Sequence, residues 1–304
     1  AKKDELPTEP TTTVSSSDDS SSSGSRVFVV TGNSGKIVRS TDNGSSFENV
    51  TSPIGGRING VGFGNNTFVA VNSSGNIVRS TDNGTTFDNA TSPTSTILYE
   101  VEFGNNTFVA VGLSGTIIRS TDNGSSFSTV TSRTSEHLTG VTFGNNTFVG
   151  VGRSGNIVRS TDNGTTWDNA TSPTDKDLTE VTFGNNTFVA VGESGNIVRS
   201  TDNGTTFDNA TSPTTKYLWG VGGNNTFVAV GNSATIVRST DNGTTWDNAT
   251  SGVQGSIYLL GVGFGNNTFV VAGKSGTIVR STDNGTTWDN ATSPTGEDLW
   301  GVGF

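Results

Sequence analysis

The chain has 304 residues, a formal net charge of −10 and only 14% charged residues. The acidic balance argues against a nucleic-acid partner, because phosphate binding needs a basic patch. The absence of cysteine excludes disulfides, thiolate chemistry and cysteine-based metal sites, and no apolar run is long enough to predict a membrane span.

The first segment, residues 1–25, differs in composition from the rest of the chain. It is rich in Ser, Thr, Pro and Asp and has almost no large apolar residue. Such a segment cannot bury enough surface to offset its ordering entropy, which predicts a disordered tether. Since the sequence starts at Ala1, we expect a processed or trimmed chain, and a tether suits an exported bacterial protein that is secreted, periplasmic or held at the cell surface. A frayed terminus without a role is the alternative.

From Arg26 onward a single unit recurs, and residues 26–304 form one predicted domain. Its clearest copy runs from Leu178 to Pro213. The block Ser-Thr-Asp-Asn-Gly-x-x-Phe/Trp occurs seven times, at steps of 39 to 42 residues. Its aspartates are Asp42, Asp82, Asp122, Asp162, Asp202, Asp241 and Asp283. A constant period near 40 is typical of repeat architectures in which each unit packs on its neighbours.

Each unit reads as four short strands. Leu-x-x-Val-x-Phe is strand A and Thr-Phe-Val-Ala-Val is strand B, joined by a Gly-Asn-Asn turn. After a Ser-Gly turn, Ile-Val-Arg-Ser-Thr is strand C, and the Asp-Asn-Gly turn leads into strand D, which ends at Ser-Pro. Four strands in each of seven units predict an all-β, seven-bladed β-propeller of four-stranded antiparallel blades.

The two ends of the repeat region predict how the ring closes. Residues 26–31 match strand B without a preceding strand A, and residues 299–304 match strand A without a following strand B. We therefore expect the strand at 299–304 to pair with the strand at 26–31, which removes two open sheet edges.

The motif Ser-x-Asp-x-Gly-x-Thr/Ser-Trp/Phe resembles the Asp-box of bacterial neuraminidase-type (BNR) repeats. The whole unit is similar to the repeat of photosystem II stability/assembly factor-like propellers, and the resemblance covers residues 26–304. It implies the propeller fold strongly and a function weakly, because Asp-box propellers include enzymes, assembly factors and lectins.

The seven motif aspartates have a structural interpretation. An Asp before Asn-Gly can accept hydrogen bonds from the N–H groups of its own turn, and the Phe or Trp packs between blades. A calcium site is disfavoured, because the Asp-x-Asp/Asn-x-Asp/Asn-Gly spacing is absent. We expect neither a metal nor a cofactor.

Resemblance to neuraminidases implies a search for three substrate-facing arginines, a Tyr nucleophile with a Glu partner, and an Asp acid. Seven of the eleven arginines recur at one repeat position and are expected to be structural. Tyr99 and Glu100 are adjacent, but neighbours on a strand point to opposite faces. The single histidine, His137, lies in a variable loop. No unique catalytic constellation emerges, and we predict that the protein is not an enzyme.

The differences between copies predict a binding surface. They concentrate in the B–C turn, in the D–A connection and at the start of strand A, and alternating strand directions place these on one face of the disc. Candidate ligand-binding residues on this face are Arg57, Tyr99, Leu113, His137, Arg153, Glu193, Tyr217, Trp219, Tyr258, Lys274 and Trp300. Aromatic anchors among scattered charges favour a protein or glycan surface as partner.

Two irregularities fall in one sector of this face. Blade six lacks the Phe before Gly223 and has Ala234 in place of the turn Gly, while blade seven has two extra residues before strand A. If that turn needs a positive φ, Ala234 costs roughly 1 kcal/mol.

Our leading hypothesis is a monomeric, non-catalytic scaffold that binds a protein partner through the B–C/D–A face. A lectin-like propeller is the first alternative and a sialidase-like hydrolase the second. Drift of unused loops, and an engineered or recently amplified origin without an evolved ligand, also remain open.

Overall fold

The computed structural model describes residues 27–253 and 255–304. They form seven separate four-stranded antiparallel sheets, as the repeat predicts for a seven-bladed propeller. The tether predicted at residues 1–25, and Arg26 at the start of the predicted first strand, lie outside the described residues. Helical structure in the described ranges consists of six three-residue 3₁₀ turns, none of which could cross a membrane.

The inner two strands of each blade correspond to the predicted strands A and B. The A strands of blades one to seven are β28 Leu299–Gly303, β4 Ile58–Gly64, β8 Leu98–Gly104, β12 Leu138–Gly144, β16 Leu178–Gly184, β20 Leu218–Gly223 and β24 Leu259–Gly265. The B strands are β1 Phe28–Gly32, β5 Thr67–Asn72, β9 Thr107–Gly112, β13 Thr147–Gly152, β17 Thr187–Gly192, β21 Phe227–Gly231 and β25 Thr268–Gly273.

The outer two strands are shorter. The C strands are β2 Ile37–Ser40, β6 Ile77–Ser80, β10 Ile117–Ser120, β14 Ile157–Ser160, β18 Ile197–Ser200, β22 Ile236–Ser239 and β26 Ile278–Ser281. The D strands are β3 Glu48–Val50, β7 Asp88–Ala90, β11 Ser128–Val130, β15 Asp168–Asn169, β19 Asp208–Asn209, β23 Asp247–Ala249 and β27 Asp289–Asn290. The B strands are buried throughout, whereas the D strands form the exposed rim.

The ring closes as predicted. Strand β28 pairs antiparallel with β1, with Val29 opposite Gly303 and Val30 opposite Val302. The first blade therefore has the order β28-β1-β2-β3 and combines both ends of the described chain. Strand β1 runs from Phe28 to Gly32 and β28 from Leu299 to Gly303, so each is one residue shorter than the strands predicted at 26–31 and 299–304.

The A strands surround the axis of the ring, and each lies beside the A strands of both neighbouring blades. Glycine makes this close approach possible. A Cβ added to Gly261 would lie 2.0 Å from the Trp300 carbonyl oxygen of the next blade. Small residues therefore bring seven backbones together around one axis, and the side chains that remain there define what the axis can hold.

Seven hydrophobic clusters hold the ring together, and each is built from two neighbouring blades. Trp167 of blade four, for example, packs with Val109, Val111 and Ile117 of blade three. Phe47 of blade one packs with Val270 and Ile278 of blade seven across the closure. Each buried aromatic contributes roughly 1.5–3 kcal/mol or more, so blades stabilise one another rather than themselves.

The Asp-Asn-Gly turns form one end of the toroid together with the A–B turns, and we call this end the constant face. In blade four the Asp162 carboxylate accepts the Ser160 hydroxyl at 2.8 Å, and the N–H and hydroxyl of Thr166 at 2.9 and 2.6 Å. Asn163 donates to the Thr107 hydroxyl of blade three at 2.6 Å. The turn therefore supports its own hairpin and also ties neighbouring blades together.

Candidate functional site: the axial cavity and its mouth

The B–C turns and D–A connections lie together at the end opposite the constant face, and we call this end the variable face. In each blade the first residue after strand B donates its N–H to the carbonyl oxygen of the residue before strand A. The seven bonds, 2.9–3.0 Å long, are Asn33 to Asp298, Ser73 to Arg57, Leu113 to Ile97, Arg153 to His137, Glu193 to Asp177, Asn232 to Tyr217 and Lys274 to Tyr258. Both sets of divergent connections thus share one face, as the strand directions predict.

A cavity of about 510 Å³ runs along the axis between the A strands. It extends from the connections of the variable face to Phe63, Phe264 and Phe304 near the far end of the A strands. Six of the eleven predicted ligand-binding residues line it, and we call these six the mouth: Arg57, Tyr99, Arg153, Tyr217, Trp219 and Trp300. They come from positions spread over about 240 residues of sequence, and only ring closure brings them together.

One side of the mouth is built on Trp300. Its indole N–H donates to the Asn33 side-chain oxygen at 3.0 Å, which links strand β28 to the B–C turn of the same blade. The Arg57 guanidinium lies 4.5 Å from the centre of the Trp300 ring, a cation–π contact. Arg57 also donates to the Asn59 side-chain oxygen at 2.5 Å, so this arginine is held in place from two directions.

The other side of the mouth is built on Trp219. Its indole N–H donates to the Asn232 side-chain oxygen at 2.7 Å, and the Tyr217 ring lies 4.3 Å away between ring centres. Burial raises the pKa of the Tyr217 phenol, and the negative charges of Asp177 and Glu193 add to the rise. The phenol therefore stays protonated and can donate a hydrogen bond.

The remaining five predicted residues do not line the cavity. They are Leu113, His137, Glu193, Tyr258 and Lys274. Leu113, Glu193 and Lys274 begin 3₁₀ turns of the variable face, and the Lys274 ammonium lies 4.5 Å above the Tyr258 ring. They lie on the variable face outside the cavity lining, although the Glu193 charge still acts on the Tyr217 phenol of the mouth.

His137 has a specific structural contact. Its Nδ1 accepts the Ser114 N–H of the preceding blade at 3.1 Å. At the matching position Asp177 and Asp298 accept the N–H groups of Ser154 and Ser275, each at 2.9 Å. The imidazole therefore replaces a carboxylate that bridges two blades.

The sequence-based treatment of Tyr99 and Glu100 was wrong in one respect. Alternation along a strand would send the two side chains to opposite faces, yet both residues line the cavity. The reason is a β-bulge: Leu98 pairs with Gly112 and Glu100 with Val111, so Tyr99 is the extra residue. A bulge locally breaks the alternation of side chains.

Of three glutamates in the cavity, Glu102 and Glu180 were missed from the sequence, and Glu100 was considered only as a partner of Tyr99. Glu100 and Glu180 occupy the third position of strands β8 and β16, and Glu102 occupies the fifth position of β8. The carboxyl groups of Glu100 and Glu180 are close enough for each to shift the pKa of the other. The signal was present in the repeats, because Gly60, Gly140 and the other A strands have glycine at the third position.

Glycine neighbours make room for these two carboxyl groups. A Cβ added to Gly60 would lie 2.5 Å from Glu100 Oε1, and one added to Gly140 would lie 2.6 Å from Glu180 Oε1. The main-chain N–H groups of Val101 and Val181 donate to these oxygens at 3.0 and 2.9 Å. The alternation Gly-Glu-Gly-Glu through blades two to five is therefore a packing arrangement.

Desolvation dominates the acid–base behaviour of the three glutamates. It raises the pKa of Glu100 to about 8, although the Val101 N–H opposes the rise and the Glu102 charge adds to it. Desolvation also raises the pKa of Glu102 to about 7, against the Phe103 N–H. Desolvation and then the Glu100 charge raise the pKa of Glu180 well above its ordinary value. At neutral pH the empty cavity therefore holds mostly protonated carboxyl groups.

The cavity has two unlike sides. Blades three to five contribute the carboxyl wall, which consists of Glu100, Glu102, Thr142, Glu180 and Thr182. Blades six, seven and one contribute the glycine wall, which consists of Gly220, Gly222, Gly261, Gly263, Gly301 and Gly303. One wall presents acids and hydroxyls, whereas beside the glycines of the other wall Val262, Phe264 and Val302 present apolar side chains. Within residues 27–253 and 255–304, no three His, Cys, Asp or Glu side chains are placed to hold a metal ion.

The irregular sector lies beside the glycine wall. Ala234 has φ 54°, so the strain predicted for this turn is present. Its N–H donates to the Ile257 carbonyl of the lengthened D–A connection at 2.6 Å. In blade five a Cβ at the matching Gly195 would lie 1.9 Å from the Thr214 carbonyl oxygen. The methyl group of Ala234 therefore occurs where the D–A connection is longer, whereas blade five has a glycine at this position and a connection of ordinary length.

Comparison with known proteins supports the architecture. A family model described as "DUF6242 beta propeller domain" matches residues 131–257. No curated protein matches the chain. A solved structure of YCF48 bound to D1 peptide is similar with a TM-score of 0.66 and 17% identity, over 83% of this chain and 86% of that chain. This chain is a seven-bladed propeller similar to YCF48.

Two further solved structures support the same conclusion. YCF48 from Cyanidioschyzon merolae has a TM-score of 0.63 and 17% identity, over 80% of this chain and 88% of that chain. An ancestral GH74 enzyme has a TM-score of 0.62 and 15% identity, over 77% of this chain but only 39% of that chain. At these identities the likeness shows the fold, and the activity must be argued from the cavity.

Proposed function

We propose that this protein is a non-catalytic scaffold that binds a segment of a protein partner at the mouth of the axial cavity. The observation that carries this proposal is the convergence of Arg57, Tyr99, Arg153, Tyr217, Trp219 and Trp300 around one cavity. Their repeat positions vary between blades, although Trp219 and Trp300 share one position, whereas the scaffold beneath them is repetitive. Tryptophan, tyrosine and arginine are also the residues that dominate binding energy in protein interfaces.

The similarity to YCF48 supports a peptide as the ligand. That protein has been solved bound to D1 peptide, and it shares this propeller fold. The mouth here is held by hydrogen bonds from Trp219 to Asn232 and from Trp300 to Asn33. Its aromatic side chains are therefore ordered before binding, which lowers the entropic cost of association.

Two observations support a role without hydrolysis. Repeated arginines serve the scaffold, since Arg119 and Arg238 each donate to an Asn carbonyl of the next blade at 2.7 Å. Desolvation raises the pKa values of Glu100 and Glu180, which disfavours the ionised carboxylate that glycoside hydrolysis requires as nucleophile or base.

A peptide-display selection tests the proposal. The protein is immobilised and panned against random dodecapeptides, and an enriched peptide is titrated against wild type, Trp219→Ala and Trp300→Ala. We expect each alanine to weaken binding about tenfold or more, while Asp208→Asn on the exposed rim leaves it unchanged. No enriched peptide, or affinity that is insensitive to both tryptophans, would contradict the proposal.

Two parallel assays address the alternatives. A glycan array read with wild type and Trp219→Ala tests the lectin alternative, which gains support if a glycan binds and the variant loses it. Turnover of a fluorogenic sialoside by wild-type protein would contradict the non-catalytic role. We further propose that the scaffold acts outside the cytoplasm of a bacterium, which signal-dependent export of a reporter fusion in the native host would test.

A further inference from the structure

We infer that the partner segment inserts one basic side chain, lysine or arginine, into the axial cavity, between the carboxyl wall and the glycine wall. This inference rests on the proposed function and specifies the chemistry of its partner. It follows from the shape of the cavity, its charge complementarity with a cation, and the way the existing cations of the mouth are already engaged.

The cavity has the size and lining for one long side chain. It encloses about 510 Å³ behind a mouth of aromatic and charged residues, which is enough for a long side chain but not for a folded domain. On the side of the glycine wall the half-buried Val262 and Val302 also line the cavity, so the aliphatic stem of a lysine or arginine can lie against apolar side chains. A long cationic side chain buries its stem against apolar surface and keeps its charge in polar surroundings.

The charge of the cavity also favours a cation. Glu100, Glu102 and Glu180 face the space from one wall, and among residues 27–253 and 255–304 no lysine or arginine lines the cavity below the mouth. A desolvated carboxyl group is stabilised in its ionised form by a cation within about 4–6 Å. A partner cation would therefore supply the counter-charge that this wall lacks in the free protein.

The two arginines of the mouth are already engaged. Arg57 lies on the Trp300 ring and bonds to Asn59, and Arg153 lies 4.0 Å from the Asp177 carboxylate. The remaining ionisable side chains of the mouth are the phenols Tyr99 and Tyr217. Within the part of the chain that the structure describes, no basic side chain neutralises the three glutamates from inside the cavity.

The inference predicts proton release on binding. A cation that ionises Glu100 or Glu180 displaces a proton, so its affinity must increase with pH while those groups are protonated. For one proton released, affinity rises about tenfold for each pH unit below the pKa of the group. A neutral side chain in the same position displaces no proton and shows no such dependence.

The test uses pooled nonapeptides with a fixed central residue and uncharged random positions, acetylated and amidated at their ends. Pools with lysine, arginine, norleucine or citrulline at the centre are titrated against the full chain at pH 6, 7 and 8. We expect at least a tenfold preference for lysine over norleucine and for arginine over citrulline at pH 8. The preference should shrink about tenfold from pH 7 to pH 6.

Variants locate the effect in the cavity. The double variant Glu100→Gln/Glu180→Gln should lose the preference for basic centres, while Glu48→Gln on the outermost strand should keep it. Thermal melts establish that each variant is folded, and the pH series on wild type needs no variant. Equal binding of basic and neutral pools, or a preference that survives the double variant, overturns the inference but leaves the proposed function standing. Failure of every pool to bind overturns both.

Discussion

Carboxyl groups occupy two regions of this ring in opposite states. On the constant face, partial burial alone would raise the pKa of Asp162, but hydrogen bonds from Thr166, Ser160 and Thr165 lower it to about 2. In the cavity, desolvation raises the pKa of Glu100 to about 8. The comparison shows that two factors decide the charge of a carboxyl group here: the number of hydrogen-bond donors that face it, and its access to water. Many donors keep Asp162 ionised in its turn, whereas desolvation keeps Glu100 protonated in the carboxyl wall.

The largest expected effect comes from removing the strand that both regions share. Strand β28 carries Trp300 of the mouth, and it completes the blade whose Asp42 turn lies at the constant face. Deleting residues 299–304 should open the ring, expose the cluster around Phe28 and Leu299, and lower the melting temperature by more than about 10 °C. A calorimetric scan that matches wild type would refute closure as a source of stability.

The next effect concerns the B–C turns of the variable face and tests whether they tolerate an added methyl group. Gly195→Ala would place a methyl group at φ 72° and 1.9 Å from the Thr214 carbonyl oxygen, and should cost about 2–4 kcal/mol. The reciprocal change, Ala234→Gly, should stabilise the protein by about 1 kcal/mol. Urea denaturation of both variants measures the two changes in the free energy of unfolding. Similar small effects at the two positions would mean that the lengthened connection before blade seven does not matter.

A smaller effect is expected at the constant face. Asp162→Asn removes a carboxylate that accepts four side-chain and main-chain donors, and should cost about 1–2 kcal/mol at pH 7. Because the pKa of Asp162 is lowered by folding, its stabilisation is present above about pH 4 and is lost as pH falls towards 2. The gap between variant and wild type should therefore close near pH 2 in denaturation curves. Asp208→Asn is the control, and a gap independent of pH would argue against the hydrogen-bonded carboxylate.

The smallest effect concerns the cavity glutamates, whose contribution to stability should fall, not rise, as pH increases. The pKa values of Glu100 and Glu180 are raised by folding, so the folded state holds more protons than the unfolded state between about pH 4.5 and 8. Wild-type stability from these groups should fall as pH rises through that range. Because both side chains are half-buried, solvent screening reduces the effect, and Glu100→Gln/Glu180→Gln should flatten the fall by about 1 kcal/mol in melts at pH 5 and pH 8, relative to Glu48→Gln. If the stability of the double variant and that of Glu48→Gln changed with pH in the same way, folding would not raise the pKa values of the cavity glutamates.

Much of the architecture could be predicted because it is local and repeated. The Asp-Asn-Gly turns, the glycines and the period of about 40 residues indicate hairpins, and the unmatched strands at 26–31 and 299–304 indicate closure. Strand direction also predicts which connections share a face. Six residues of the mouth followed from that argument together with their variation among blades.

The chemistry of the cavity could not be predicted in the same way, since it depends on contacts between blades. The bulge at Tyr99 changes which side chains face the axis, and no residue type marks it in sequence. The pairing of Glu100 with Glu180 joins blades three and five, and Arg57 reaches Trp300 only because the ring closes. His137 looked like a candidate for recognition, but its bond to Ser114 is a substitute for the aspartates of other blades.

The pairing of β28 with β1 also sets the orientation of the ring relative to anything attached to it. Phe28 and Phe304 lie at the end where the other blades have their Gly-Asn-Asn hairpin tips. A chain joined before Val27 or after Phe304 therefore departs from the constant face. If the ring is anchored through either terminus, the mouth is directed outward, towards the surrounding medium and away from the point of attachment.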